Sequence, residues 1–188
     1  MDNRSNILAC ALRLFAANGY DATGVQEIVD AAGVTKPTLY HYFGSKRGLL
    51  ETLLEENYAR LRGVLRRAAD YRGDLPWTLN QIVAAYFDYA AAHSTFYRLQ
   101  LSMWFAPPQS EAFAAVSRIL GEQHQVIERV FVGAVEQHGN MRGRHRAYAA
   151  TFLGTINTYI GLALNGYVEL DEALVYRAVH QFMHGIFS

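Results

Sequence analysis

Only four prolines (Pro37, Pro76, Pro107 and Pro108) punctuate the 188 residues of this chain. Between them apolar side chains recur at three- and four-residue spacing, and no segment shows the strict alternation of a half-buried strand. That periodicity predicts an all-α protein of about nine helices, over 4–18, 24–32, 36–42, 46–69, 77–92, 95–105, 110–137, 143–164 and 171–187. The first helix places Ile7, Leu8, Ala11, Leu12 and Phe15 on one face and stops at Gly19, where a glycine can leave the helical conformation without steric cost. Thr23 followed by Gln26 has the form of a capping box for the second helix, and Ser45 is placed to cap the fourth. With 51% hydrophobic and 18% charged residues, the chain has the apolar supply for a sizeable core.

Charge and cysteine content narrow the function classes. Seventeen basic residues balance 17 acidic ones, so no overall positive field announces a polyanion partner. The single cysteine, Cys10, cannot form an internal disulfide. The chain opens without the pattern of a secretory signal, and no stretch approaches the ~20 apolar residues of a membrane helix. A cytoplasmic protein that does not enter the membrane is the expectation.

The first 50 residues carry the functional signal. Two short helices joined through Gly33, Val34 and Thr35 describe a helix-turn-helix. An α-helix about 10–12 Å across fits a DNA major groove about 12 Å wide, and only its exposed face can meet base edges. On the second of these helices Leu39 and Phe43 share a face and pack inward, leaving Lys36, Thr38, His41 and Tyr42 outward, with Tyr40 open to either side. The only two lysines, Lys36 and Lys46, both fall on this motif.

From Phe15-Ala-Ala-Asn-Gly-Tyr20, through Thr23-Gly-Val-Gln-Glu-Ile-Val-Asp-Ala-Ala-Gly-Val-Thr-Lys-Pro-Thr-Leu-Tyr-His-Tyr-Phe-Gly-Ser-Lys-Arg-Gly-Leu-Leu50, the sequence resembles the DNA-binding signature of TetR-family one-component transcriptional regulators. The rest of the chain resembles that family only in length and helical character. The resemblance implies a helix-turn-helix domain over 1–47 and a ligand-binding and dimerisation domain over 48–188. It also implies a homodimer on a palindromic double-stranded operator, most often a repressor, released by a small molecule. It puts Thr23 and Lys46 on phosphates, and Lys36, Thr38, Tyr40, His41 and Tyr42 on bases or backbone. Plainer readings stand beside these: Thr23, Thr35 and Ser45 as helix caps, and the two tyrosines as packing groups.

Six of the 24 aromatic residues precede residue 71, which leaves 18 in the remainder. Aromatic walls with a few polar groups suit both pockets and cores. Tyr86, Met103, Trp104, His124 and Asn157 are the effector-site candidates, and an apolar or aromatic effector is expected. Gly154, Thr158 and Gly161 of the eighth helix and Leu174, Ala178 and Phe182 of the ninth are the dimer candidates, with intrachain packing as the alternative. His180 and His184 have metal-ligand spacing, but Gln181 stands where a metalloprotease would carry glutamate and no third ligand is evident. Neither a metal, a cofactor nor an enzymatic activity is expected. The competing readings are a ligand-binding helical dimer without DNA function and a metal-dependent enzyme.

Overall fold

The computed structural model describes residues 2–185, except for the side chain of Asn140. Among those residues the elements are nine α-helices and one 3-10 turn at Gly139–Met141. They are α1 Asn3–Asn18, α2 Val25–Ala32, α3 Lys36–Phe43, α4 Lys46–Ala68, α5 Leu75–Ala92, α6 Ser94–Trp104, α7 Glu111–Ala134, α8 His145–Leu164 and α9 Glu172–His184. The α7 helix stops three residues before the expected 137, in a turn where the Gln137 and His138 amides both bond the Ala134 carbonyl. The expected extension of α9 to Phe187 lies outside the described residues.

Side-chain caps set several helix starts. Asp2 accepts the Ser5 amide, Asp74 that of Trp77 and Asp171 that of Leu174, each satisfying an amide that the helix itself leaves unpaired. Ser45 Oγ accepts the Gly48 amide at 2.9 Å, as its capping role predicts. The capping box at Thr23 does not form. Gly24 is the N-cap of α2 and has no side-chain bond, while Thr23 is fully buried and donates to the Gly19 carbonyl at 2.8 Å. Its hydroxyl fastens the end of α1 to the following loop.

The compact units do not coincide with the segments 1–47 and 48–188. One comprises the chain up to Ala59 with Thr95–Ile119; the other comprises Arg60–Ser94 with Leu120 onward. The long helices α4 and α7 therefore each give their first part to one unit and their second part to the other. In the first unit α1, α2 and α3 pack on one another over Ile7, Phe15, Ile28, Leu39 and Phe43, all buried. In the second, α5 packs against α8 and α9 over Leu79, Val83, Phe152, Ile156 and Ala178. At about 25 cal/mol per Å² of apolar surface, each of these Leu, Ile, Val and Phe side chains contributes roughly 1.5–3 kcal/mol, and Ala178 less.

Candidate nucleic-acid interface, helical face and cavity

The turn between α2 and α3 depends on Gly33, whose φ of +63° is left-handed. Only glycine adopts this conformation cheaply, and its amide and that of Val34 close the α2 carbonyls. The α3 helix then begins with Pro37 in its first turn, where a missing amide leaves nothing unpaired. Leu39 and Phe43 are buried, so α3 is clamped along one side. Its other side presents Lys36, Tyr40, His41 and Tyr42 to solvent, with Thr38 half-buried. Tyr40 and Tyr42 remain 45% and 42% exposed, which places Tyr40 on the outer face with its neighbours. The His41 and Tyr42 rings meet edge to face at 5.3 Å. The Thr35 and Thr38 hydroxyls share a hydrogen bond of 2.9 Å, and Thr35 caps no amide.

Two side chains expected on phosphates, Thr23 and Lys46, are more buried than the outer face of α3. Thr23 has no exposed surface, so its side chain is a structural lock and not a phosphate ligand. Lys46, at the first turn of α4, is half-buried, with its ammonium 4.2 Å from the centre of the Tyr20 ring. Burial lowers its pKa, against the opposing pull of Asp21 and Glu111. Tyr20 is itself buried and donates to Glu111 Oε2 at 2.6 Å; desolvation and that carboxylate hold its hydroxyl well above the usual tyrosine range. Arg47 is exposed and pairs with Glu51 at 2.8 Å. Gly48 sits where a Cβ would lie 2.1 Å from the Phe43 carbonyl oxygen. Only glycine lets the first turn of α4 pass so close to the end of α3. Helical spacing reveals none of Tyr20, Glu111 or Gly48 as partners of the motif, because each acts through a tertiary contact.

The second unit carries an uncharged outer face. From Ala147 to Val168 there is no charged residue, yet Ala147, Thr151, Thr158 and Leu162 of α8 are exposed. The Thr151, Thr155 and Thr158 hydroxyls bond carbonyls four residues back in their own helix, at 3.0, 3.0 and 2.8 Å. Gly154 and Gly161 have open space where a Cβ would stand, so packing within the chain does not require glycine there. On α9, Leu174 and Ala178 are buried within their own chain, and Phe182 is half-buried with its ring 4.9 Å from Phe152. Leu174 and Ala178, expected at the dimer interface, thus bury their surface within the chain, while Phe182 keeps part of its surface exposed. The exposed stripe of α9 is Tyr176, His180 and His184, a ladder of rings 5.6 and 4.7 Å apart.

A cavity of about 470 Å³ opens in the same unit, within the range of small-molecule sites. The start of α5 contributes Leu75, Pro76 and Leu79, and the end of α7 contributes Phe131. His138 and Met141, Tyr148 and Thr151 of α8, and Phe182 and Met183 of α9 complete the lining. None of these residues carries a fixed charge. The five expected effector residues lie elsewhere. Tyr86 is buried and donates to Gln123 at 3.1 Å. His124 faces Glu128 at 3.8 Å, and Glu128 meets His145 at 2.9 Å. Asn157 is half-buried on α8, while buried Met103 and half-buried Trp104 belong to the first unit. Among the described residues no group of three or more His, Cys, Asp or Glu is placed to hold a metal ion, and no helix is long and apolar enough to cross a membrane.

A short helix with a buried seam and an exposed basic and aromatic face, joined through a left-handed glycine to the helix before it, defines a helix-turn-helix protein. Residues 7–53, a segment that contains the whole helix-turn-helix, match the family model of bacterial regulatory proteins of the tetR family. It is 37% identical over 98 residues to the HTH-type transcriptional activator FasR of Mycolicibacterium smegmatis, covering 52% of this chain and 45% of that one. To the HTH-type transcriptional repressor KstR2 of Rhodococcus jostii it is 34% identical over 76 residues, covering 38% and 37%. The matches thus span less than half the length of these curated relatives. Its fold is that of the regulator FadR from Bacillus subtilis in complex with stearoyl-CoA: TM-score 0.80 at 21% identity, covering 97% of this chain and 98% of that one.

Proposed function

We propose that this chain is a one-component transcriptional regulator, a repressor in its default action, that binds a palindromic operator as a homodimer and is released by a small molecule. The observation that carries this reading is the exposed face of α3, with Lys36, Tyr40, His41 and Tyr42 on a helix held by Leu39 and Phe43. In this reading residues 1–47 are the DNA-binding domain and 48–188 serve dimerisation and effector binding. The protein acts in the cytoplasm and catalyses no reaction.

His41 reads a base edge, Thr38 and the two tyrosines contact base or backbone, and Lys36 and Lys46 neutralise phosphate. The uncharged face of α8, with Gly154, Thr158 and Gly161, and the Tyr176 ladder of α9 form the dimer surface. The absence of charge from Ala147 to Val168 and the exposure of Leu162 and Tyr176 support contact with a second copy. The cavity at Phe131 and Tyr148 supports a neutral, apolar or aromatic effector, since burying a charge among these residues would be costly. Tyr86, Met103, Trp104, His124 and Asn157 remain candidates for a further part of the effector site. The effector must bind one spacing of the two recognition helices better than the other, because a ligand without that difference shifts nothing.

The test uses an operator recovered by selection from random duplexes. Lys46→Ala should weaken operator and random DNA alike and flatten the salt slope by about one unit per protomer. His41→Ala should change sequence preference instead. A chain whose two variants bind as the wild type does would not be using this face.

A further inference from the structure

We infer that Glu111, the first residue of α7, acts as a brake on the phosphate contact of Lys46, with Tyr20 as the piece that couples them. The inference rests on the DNA-binding reading above. Its basis is a chain of three side chains within the first unit. Tyr20 is 5% exposed, so its ring is held in place. One face of that ring receives the Lys46 ammonium at 4.2 Å, and its hydroxyl donates to Glu111 Oε2 at 2.6 Å. A hydroxyl donated to a carboxylate makes the ring richer in electrons, which strengthens its hold on a cation.

Lys46 is thus held by two partners that a DNA phosphate must compete with. The Glu111 carboxylate also acts electrostatically on Arg47, and Asp21 adds a second negative charge near Lys46. A phosphate arriving at the start of α4 meets a lysine already partly neutralised. The placement of the brake matters as well. Glu111 opens a helix that continues without a break to Phe131, a lining residue of the cavity. Displacement of α7 along its axis would lengthen or break the Tyr20–Glu111 bond and change how strongly Lys46 is restrained. The α7 helix would in this way link effector binding to the restraint on Lys46.

Glu111→Gln tests this, because the amide keeps an oxygen for the Tyr20 hydroxyl and removes only the charge. Loosening the hold of the Tyr20 ring on the Lys46 ammonium, a cation–π contact at the weaker, partly exposed end of its range, should give a gain of about twofold per protomer in affinity for a random 30-bp duplex at 0.1 M salt. The gain should vanish in a Lys46→Ala background, which a merely structural role would not produce. Tyr20→Phe, which keeps the ring and cuts the tether, should tighten binding in the same direction. Thermal melts of each variant establish that it folds. Unchanged or weaker binding by both single variants overturns the inference, as does an equal gain with and without Lys46. Wild-type protein that binds no duplex overturns the regulatory reading itself, and the inference falls with it.

Discussion

Replacing Gly48 by alanine tests the junction on which the DNA-binding face depends. The added Cβ would stand 2.1 Å from the Phe43 carbonyl oxygen and 3.3 Å from its carbon, whereas ordinary contact begins near 3.4 Å. The end of α3 and the start of α4 must then separate by about 1.3 Å (3.4 less 2.1). Both sides of the clash are main chain, so no side-chain rotation relieves it. Overpacking of this kind costs about 1–3 kcal/mol, and a rigid backbone contact belongs at the upper end. For a chain of this size about 3 kcal/mol lowers Tm by roughly 6–12 °C. The shift also displaces Lys46 and Arg47, two residues and one residue before Gly48, so DNA affinity should fall more than the loss of folded protein explains. Circular dichroism melts at 222 nm give the first quantity, and duplex titration well below Tm gives the second. A variant that melts within 1 °C of wild type, with unchanged affinity, would refute the close approach of the two helices.

Three further outcomes follow from other contacts. Thr23→Val keeps the shape of a buried side chain and removes its bond to the Gly19 carbonyl. It should cost about 1 kcal/mol in denaturant unfolding and leave DNA affinity unaltered; a large loss of affinity would restore a phosphate role for Thr23. Thr158→Arg places a charge in the middle of the uncharged α8 face, and sedimentation should show a monomer with wild-type helix content. A dimer that persists would move the interface elsewhere. Met141→Trp fills the cavity from its 3-10 turn. It should weaken binding of the neutral probe 2-naphthol at least about tenfold, some 1.4 kcal/mol, as followed by the probe's fluorescence; equal affinity in both proteins would place the ring outside this cavity.

Local chemistry made most of the fold legible. Leu39 and Phe43, four residues apart, identify the buried side of α3 directly, and Ser45 marks the start of α4 by its capping chemistry. The α9 stripe shows where periodicity stops short. Leu174 and Ala178 do form one face, but an apolar face looks the same whether it meets its own α5 or a second subunit. Only burial within the chain decides, and it shifts the exposed surface to Tyr176, His180 and His184. Thr23 shows the same limit in a polar residue, since capping chemistry could not show that a nearer carbonyl takes its hydroxyl. The Tyr20–Glu111 bond joins residues 91 apart, a separation that no local pattern encodes. The zero net charge, read alone, argues against DNA. In the proposed reading a phosphate meets the local balance of Lys36, Lys46 and Arg47 against Glu111 and Asp21, which a sum over the whole chain does not describe.

Selection of the purified protein against a pool of random 40-bp duplexes tests the central claim most directly. Enrichment of an inverted repeat, with half-sites one helical turn or a longer fixed spacing apart and with His41→Ala altering the enriched bases, is the predicted result. Recovery of no common sequence, with equal affinity for selected and unselected duplexes, would contradict it and leave a helical ligand-binding dimer without DNA function.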